Sequence, residues 1–358
     1  MTTTINNEHK KLNVPNLRFP EFSGEWHSFL INEICSEFKS GKNIKADSIS
    51  ENGEYPVFGG NGLRGYTASY NHEGLYVLIG RQGALCGNVR SVNGKTYITE
   101  HAIAAAGNEK SNTSFLHYLF LKMNLGQYSD QSAQPGLAVN KLLKLEVSLP
   151  TISEQKKIAK LLSLLDERIT TQNKIIDKLQ SLIKGIGKQL FMDNQNWRTV
   201  KIGELLRIGN GKDYKHLCIG KIPVYGTGGQ MLLVNDYLYD GESVCIGRKG
   251  TIDTPMFLKG KFWTVDTLFY TYDFKDVLPK FCYYLFLQIN WKLYNEGTGV
   301  PSLSKSTIEN IKVKIPSLEQ QQKICSILDC YEHKTNNEEQ ILELYHSEKQ
   351  YLLRQTFI

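Results

Sequence analysis

The residues whose types and spacing could do chemistry are basic side chains held beside glycine. Arg81 stands in "IGRQG" at 79–83 and Arg248 in "IGRKG" at 246–250, each between apolar runs. That pattern reads as a hairpin tip or bulge, where glycine allows a tight turn and close approach to a ligand. An arginine held there can fork onto a phosphate or onto guanine. It can also act as an internal strut, salt-bridged to a carboxylate such as Asp266. Lys42 and Lys212 each follow a glycine and suit either a phosphate contact or a solvated loop. Neighbours that differ between the two sites are better suited to reading different bases. These are Gln82 against Lys249, and Asn61-Gly62-Leu63-Arg64 against Gly228-Gly229-Gln230-Met231. The candidate nucleic-acid contacts are therefore Lys42, Asn61, Arg64, Arg81, Gln82, Lys212, Gln230, Arg248 and Lys249.

No catalytic constellation accompanies them. "NGKT" at 93–96 lacks the earlier glycine of a phosphate loop, with Val89 in its place, and "GTGG" at 226–229 does not open a helix pattern. Zinc-protease and nucleophile-elbow motifs are missing. His101, in "TEHA", aligns with Asp266, in "TVDT", and a catalytic residue would not change type between copies. Seven cysteines without a C-x-x-C pair read as reduced thiols of a cytosolic protein, with no metal site expected. The N-terminal "MTTTINNEHKK" has no apolar core for a secretory signal, and no apolar run is long enough to span a bilayer. The net charge of +6 permits an anionic partner, and the surplus is shared by both halves, so any basic surface must be sorted by face.

The elements that must position these residues occur twice. "YLFLKMN" at 118–124 returns as "YLFLQIN" at 284–290, an interval of 166. Pro135 and Leu137 return as Pro301 and Leu303, and Gln155, Lys157 and Ile158 as Gln321, Lys323 and Ile324. Such a unit is domain-sized rather than a solenoid repeat. In each copy, Gly-, Tyr- and Val-rich runs give strand and turn signals, followed by a core helix at 114–125 or 280–291. Tyr118, Leu119, Leu121 and their repeats are expected to pack that helix inward.

After Pro150 the pattern changes to a heptad seam, with Thr151 or Ser153 as the N-cap. The seam runs Ile158, Leu162, Leu165, Ile169, Gln172, Ile176, Leu179 and Ile183. The second copy gives a weaker seam of Ile324, Leu328, Tyr331, Glu338, Leu342 and Tyr345. Gln172 and Glu338 place a polar residue in the same layer, which can fix register or simply mark loose, wet packing. A helix of this length is roughly 60 Å long, a spacer. The expected fold is α+β: two similar α/β recognition domains separated by two long helices paired as an antiparallel coiled coil, a pseudo-two-fold tandem repeat. Its boundaries are a first domain over 1–150 with a lead at 1–25, a helical spacer at 151–196, a second domain at 197–316 and a second spacer at 317–358.

The lead "VPNLRFPEFSGEW" at 14–26, "YPVFGGNG" at 55–62, the paired "IGRxG" and the "LPxxxEQKKIAxLL" entry at 149–162 together resemble the specificity (S) subunit of type I restriction-modification enzymes. The resemblance covers the chain from about Val14 onward. It implies two target-recognition domains, each reading one half of a bipartite double-stranded DNA site, and a coiled coil that acts as a ruler. It also implies two methyltransferase (M) subunits docked on the chain, with motor-nuclease (R) subunits able to join. Catalysis, with S-adenosylmethionine, ATP and Mg, belongs to those partners, and this chain is expected to hold no cofactor. The resemblance supplies no residue-by-residue recognition code. A rival from another class is a protein-interaction scaffold, two binding domains on a coiled-coil strut, told apart by whether DNA binding weakens steeply with salt. A self-sufficient methyltransferase-nuclease fragment would need a cofactor-binding glycine loop and a catalytic motif, and neither is found.

Overall fold

A computed structural model describes residues 13–83, 85–130, 135–192 and 196–358; the N-terminal stretch read above as lacking a signal lies outside them. The chain forms two compact units, Met1–Gln172 with Ile341–Ile358, and Asn173–Gln340. Each therefore contains the start of one long helix and the end of the other.

In the first unit, one four-stranded antiparallel sheet orders its strands Cys35–Ser40, Ala102–Gly107, Tyr76–Gly80 and Val89–Val92. A second orders Gly62–Thr67, Tyr55–Gly59, Lys95–Ile98 and His72–Glu73, with a parallel pair at Val57–Tyr97. "YVLIG" is a continuous apolar run because both of its faces are covered. Val77 and Ile79 enter the main core with Phe115 and Phe120, while Leu78 enters a smaller core with Ile98 and Ala104. The first core helix, Thr113–Met123, is capped by Asn112, whose side chain accepts from Phe115 N, and stops at Asn124, in the left-handed region.

The second unit repeats the plan. Its six-stranded sheet runs Arg207–Asn210, Leu268–Tyr272, Tyr239–Gly247, Met256–Thr264, Ile219–Gly226 and Gly229–Val234. Two nine-residue strands here join what are separate sheets in the first unit. The second core helix spans Pro279–Gln288. Tyr284 and Leu285 face inward as expected, but Leu287 is 44% exposed and Leu121 only half-buried, so the inward stripe is narrower than the repeated phrase suggested.

The long helices are Ile152–Met192 and Leu318–Gln355. The cap of the first is Thr151, not Ser153: the Thr151 hydroxyl accepts from Glu154 N at 3.4 Å. Ser317 does the same for Gln320 N at 3.4 Å. In the first unit, Ile158, Leu162, Leu165 and Ile169 share a core with Leu352, Leu353 and Phe357 from the far end of the second helix, with Leu342 and Tyr345 packed against it. In the second unit, Phe191, Ile186 and Leu190 pack with Ile324, Cys325 and Leu328. Start meets end in both units, so the pairing is antiparallel. Gln172, Ile176 and Leu179 are buried, while Ile183, Tyr331 and Glu338 are half-buried. The second seam is less dry, as its polar content requires.

Two features bind each long helix to its domain. Gln155 is fully buried and accepts from Asn112 N at 2.8 Å, while its amide donates to Lys110 O and Pro150 O, each at 2.9 Å. Gln321 repeats this with Leu278 N at 2.8 Å, Asp276 O at 2.9 Å and Pro316 O at 3.1 Å. An aromatic trio then closes each core. Trp26, Phe115 and Phe357 meet with centroids 5.0–6.4 Å apart. Trp197, Phe281 and Phe191 meet at 5.3–6.2 Å.

Gln155→Ala strands two carbonyls and one N–H in a dry joint and is expected to cost roughly 2–4 kcal/mol. The urea midpoint of the variant should fall accordingly, while Lys156→Ala, on the exposed face, should stay within about 0.5 kcal/mol of wild type. His117, on the first core helix, supplies a pH test. Burial, with the Lys349 ammonium adding, holds its imidazole down at about 4. In the unfolded chain it titrates near 6.5. The unfolded state therefore takes up the proton first, and stability should be lost as pH falls from about 6.5 towards about 4 and stay level above. Urea midpoints across that range should show a decline that His117→Gln flattens.

Candidate nucleic-acid interface

In the first unit the candidate residues gather around the turn at 99–101. Gly41 N donates to Ala102 O and Lys42 N to Ile98 O, both at 3.0 Å, so the Lys42 loop straddles the turn. Arg81 N donates to His101 O at 2.9 Å. The two-residue hairpin turn Gly60-Asn61 lies against the same place: a Cβ added to Gly60 would stand 2.7 Å from His101 O and 3.3 Å from Gly80 Cα. Only glycine allows that approach. The structure thus brings together Lys42, Asn61, Arg81 and Gln82, whose amide oxygen is 3.0 Å from His101 Nδ1. Arg64 is exposed further down the hairpin, leaning over Gly59.

The second unit uses the same backbone pins. Lys212 N donates to Thr264 O at 2.9 Å and Arg248 N to Thr267 O at 2.7 Å. Gln230 and Met231 are exposed on the equivalent hairpin, with Gly229 at φ +111° as Gly62 is at φ +109°. The repeated proline and leucine now have a purpose. Gly83 N donates to Pro135 O and Leu137 N to Arg81 O; Gly250 N donates to Pro301 O and Leu303 N to Arg248 O, all between 2.9 and 3.0 Å. They hold the G-R-x-G loop from its other side.

The internal strut expected for Arg81 and Arg248 is not formed. Among the described residues neither makes an ion pair, and Arg248 reaches only the backbone oxygen of Asp266, at 3.5 Å. The main chain pins the loop on both sides, so the loop is held without an ion pair from the guanidinium. The pairing of His101 with Asp266 is also off by one. Thr99 N donates to Phe58 O and Val265 N to Tyr225 O, which makes Glu100 the counterpart of Asp266 and His101 that of Thr267. A carboxylate therefore recurs at this turn, and the Glu100 carboxylate lies 3.1 Å from His101 Nε2.

Other contributors were missed because they do not repeat. The Arg90 guanidinium lies against Gly62, where an added Cβ would be 2.3 Å from Nη1, and Arg90 Nε is buried without a partner among the described residues. Met256 and Phe257 stand at its level in the second copy. Conversely, Asn210, Arg248, Lys249, Ser302, Ser304 and Lys305 line a cavity of about 300 Å³ in the second unit, whereas Val139 holds the position of Lys305 in the first. The backbone frame is shared, but the basic side chains beyond the common lysine and arginine sit at different places, Arg64 and Arg90 in the first unit and Lys249 and Lys305 in the second.

Nothing nearby resembles a reaction centre. Among the described residues no group of three His, Cys, Asp or Glu could hold a metal ion. Burial pushes the Cys35 and Cys245 thiols up to about 12, so neither supplies a thiolate. No helix among the described residues is long and apolar enough to cross a membrane.

The family model for the type I restriction modification DNA specificity domain matches this chain twice, over residues 23–181 and 194–344. The chain is 43% identical over 165 residues to the specificity subunit of the Escherichia coli type I restriction enzyme EcoprrI, a match covering 45% of this chain and 40% of that one. It is 26% identical over 349 residues to a putative type I specificity subunit of Haemophilus influenzae, covering 87% and 89% of the two chains. The crystal structure of an S subunit from M. genitalium shares the fold, with a TM-score of 0.69 at 19% identity over 96% of this chain and 99% of that one. With two matched domains on one repeated scaffold, this chain belongs to the type I restriction-modification DNA specificity family, whose members are non-catalytic specificity subunits.

Proposed function

We propose that each unit reads one half of a bipartite DNA site through the loop cluster around 99–101 or 265–267, while the paired long helices set the gap between the halves. The observation that carries this reading is a recognition cluster built twice on identical backbone pins with different side chains, Gln82 against Lys249 and Asn61 against Gly228. A constant frame with variable edges suits two different short sequences. Arg81 and Arg248 are assigned to phosphate or guanine, and Glu100 and Asp266 can accept from a cytosine amino group. Lys42, Lys212 and Lys305 are assigned to the phosphate backbone. Methyl transfer and cleavage fall to methyltransferase (M) and motor-nuclease (R) partners, which would bring S-adenosylmethionine, ATP and Mg.

Co-expression with the cognate methyltransferase subunit in a methylation-free host, followed by genome-wide mapping of N6-methyladenine, tests this directly. A split motif with a constant gap is expected. No new methylation from a pair shown to assemble would reject the reading. Exchange of 26–150 for another recognition domain should change one half only. Matched seven-residue insertions in both long helices lengthen the rod by about 10 Å and should widen the gap by roughly three base pairs, leaving both halves intact. Salt titration tests the contacts themselves: each lost phosphate contact reduces the slope of log K against log salt by about 0.9. Arg248→Gln with Lys249→Gln should lower that slope, whereas Lys323→Gln, on the second long helix, should not.

A further inference from the structure

The first unit has a strap with no counterpart among the described residues of the second. Leu17 N donates to Gln355 O at 2.9 Å, and Arg18 clasps the fully buried Glu154 with bonds of 2.8 and 2.7 Å. Phe19 lies under the Lys157 ammonium at 4.6 Å. Leu17, Phe19 and Pro20 line a groove with Ile158, Leu161 and Thr356, formed by the start of one long helix and the end of the other. Trp26, whose backbone N–H donates to Asn13 O at 2.8 Å, is only 2% exposed.

The same groove exists in the second unit, and no described segment of the chain lies in it. By the interval of 166, Glu154, Lys157, Ile158 and Leu161 become Gln320, Lys323, Ile324 and Ile327; Gln355 and Thr356 correspond to Gln189 and Leu190. Those six residues, with Ile186 and Trp197, line a cavity of about 530 Å³. Ile327 is 42% exposed, and Trp197 is half-buried where its counterpart is covered. The sequence contains no second lead: five residues separate Phe191 from Trp197. An apolar groove of this shape is normally filled.

We infer that this groove receives, in trans, an extended segment of another protein that presents an aliphatic residue, then an aromatic two positions on, followed by proline. The spacing is that of Leu17, Phe19 and Pro20, which border the first unit's groove, with Phe19 half-buried and Leu17 42% exposed. The residue between the two apolar anchors is uncharged, because Gln320 replaces the carboxylate that holds Arg18. Binding would leave the loop clusters uncovered, so the inference is independent of the DNA reading.

The probe is a fluorescent synthetic peptide of residues 13–22, titrated into the full chain and followed by anisotropy. Saturable binding is expected, undiminished for the Arg18→Gln peptide and lost for the Phe19→Ala peptide. Ile327→Glu, a change at an exposed position, should weaken it about tenfold or more by placing a charge in the groove. Gln320→Glu, which restores the first unit's carboxylate, should reverse the preference towards the arginine peptide. No saturable binding would overturn the inference, as would binding indifferent to Ile327→Glu, which would mean exchange into the first groove. Sedimentation showing a dimer of the free chain that Ile327→Glu dissociates would also overturn it, since the occupant would then be a second copy.

Discussion

Two buried glutamines set the direction in which each long helix leaves its domain, and the rest of each unit depends on that direction. Gln155 satisfies two carbonyls and an amide N–H that would otherwise be dry and unpaired, and Gln321 repeats the same three bonds. An amide side chain is suited to this place because it donates and accepts at once. Two of the three bonds run to the segment just before the core helix and the third to the proline that precedes the long helix, so core helix and long helix are locked together at the base of the domain. A helix held by apolar contacts alone could slide or roll. A helix held by three directed hydrogen bonds cannot do so without breaking them.

Each unit is completed by the helix of the other repeat. Phe357, near the last residue of the chain, closes the first aromatic trio, and Phe191, six residues before Trp197, closes the second, so each domain core contains a residue of the other repeat. Polar contacts reinforce these joints. The Tyr118 hydroxyl donates to Asp166, which also pairs with Lys349, while Tyr284 donates to Asp329 and Glu332, which pair with Lys280. Burial raises both tyrosine hydroxyls above their ordinary range, with the carboxylates adding to it, so each stays a donor. The cation comes from the long helix in one unit and the core helix in the other. The joint is conserved in chemistry but not in which residue supplies it.

The loop clusters follow the opposite rule: their backbone is constant and their side chains vary. The proline-leucine segment and the acidic turn grip each G-R-x-G loop through main-chain bonds, which do not depend on whether Gln82 or Lys249 stands in the loop. Arg90 and Lys305 then give the two frames different surfaces. Specificity can change on such a frame without refolding it.

Periodicity and repetition alone determined the tandem plan, the heptad seams, the core helices and the lack of catalytic motifs, because these follow from side-chain spacing along one chain. The repeated glycines and basic residues also marked most of the loop cluster. Tertiary structure decided what spacing cannot express. It chose Thr151 over Ser153 as the cap, exposed Leu287, shifted the acidic turn by one residue and relieved Arg81 and Arg248 of any strut role. It also drew Arg90 and Lys305 into their sites. Arg90 was illegible because a residue without a counterpart leaves no trace in a comparison of repeats. The glutamine latch was legible as a repeat but not as a latch: two of its three partners are backbone groups 43 and 45 positions away, and backbone groups carry no sequence signature.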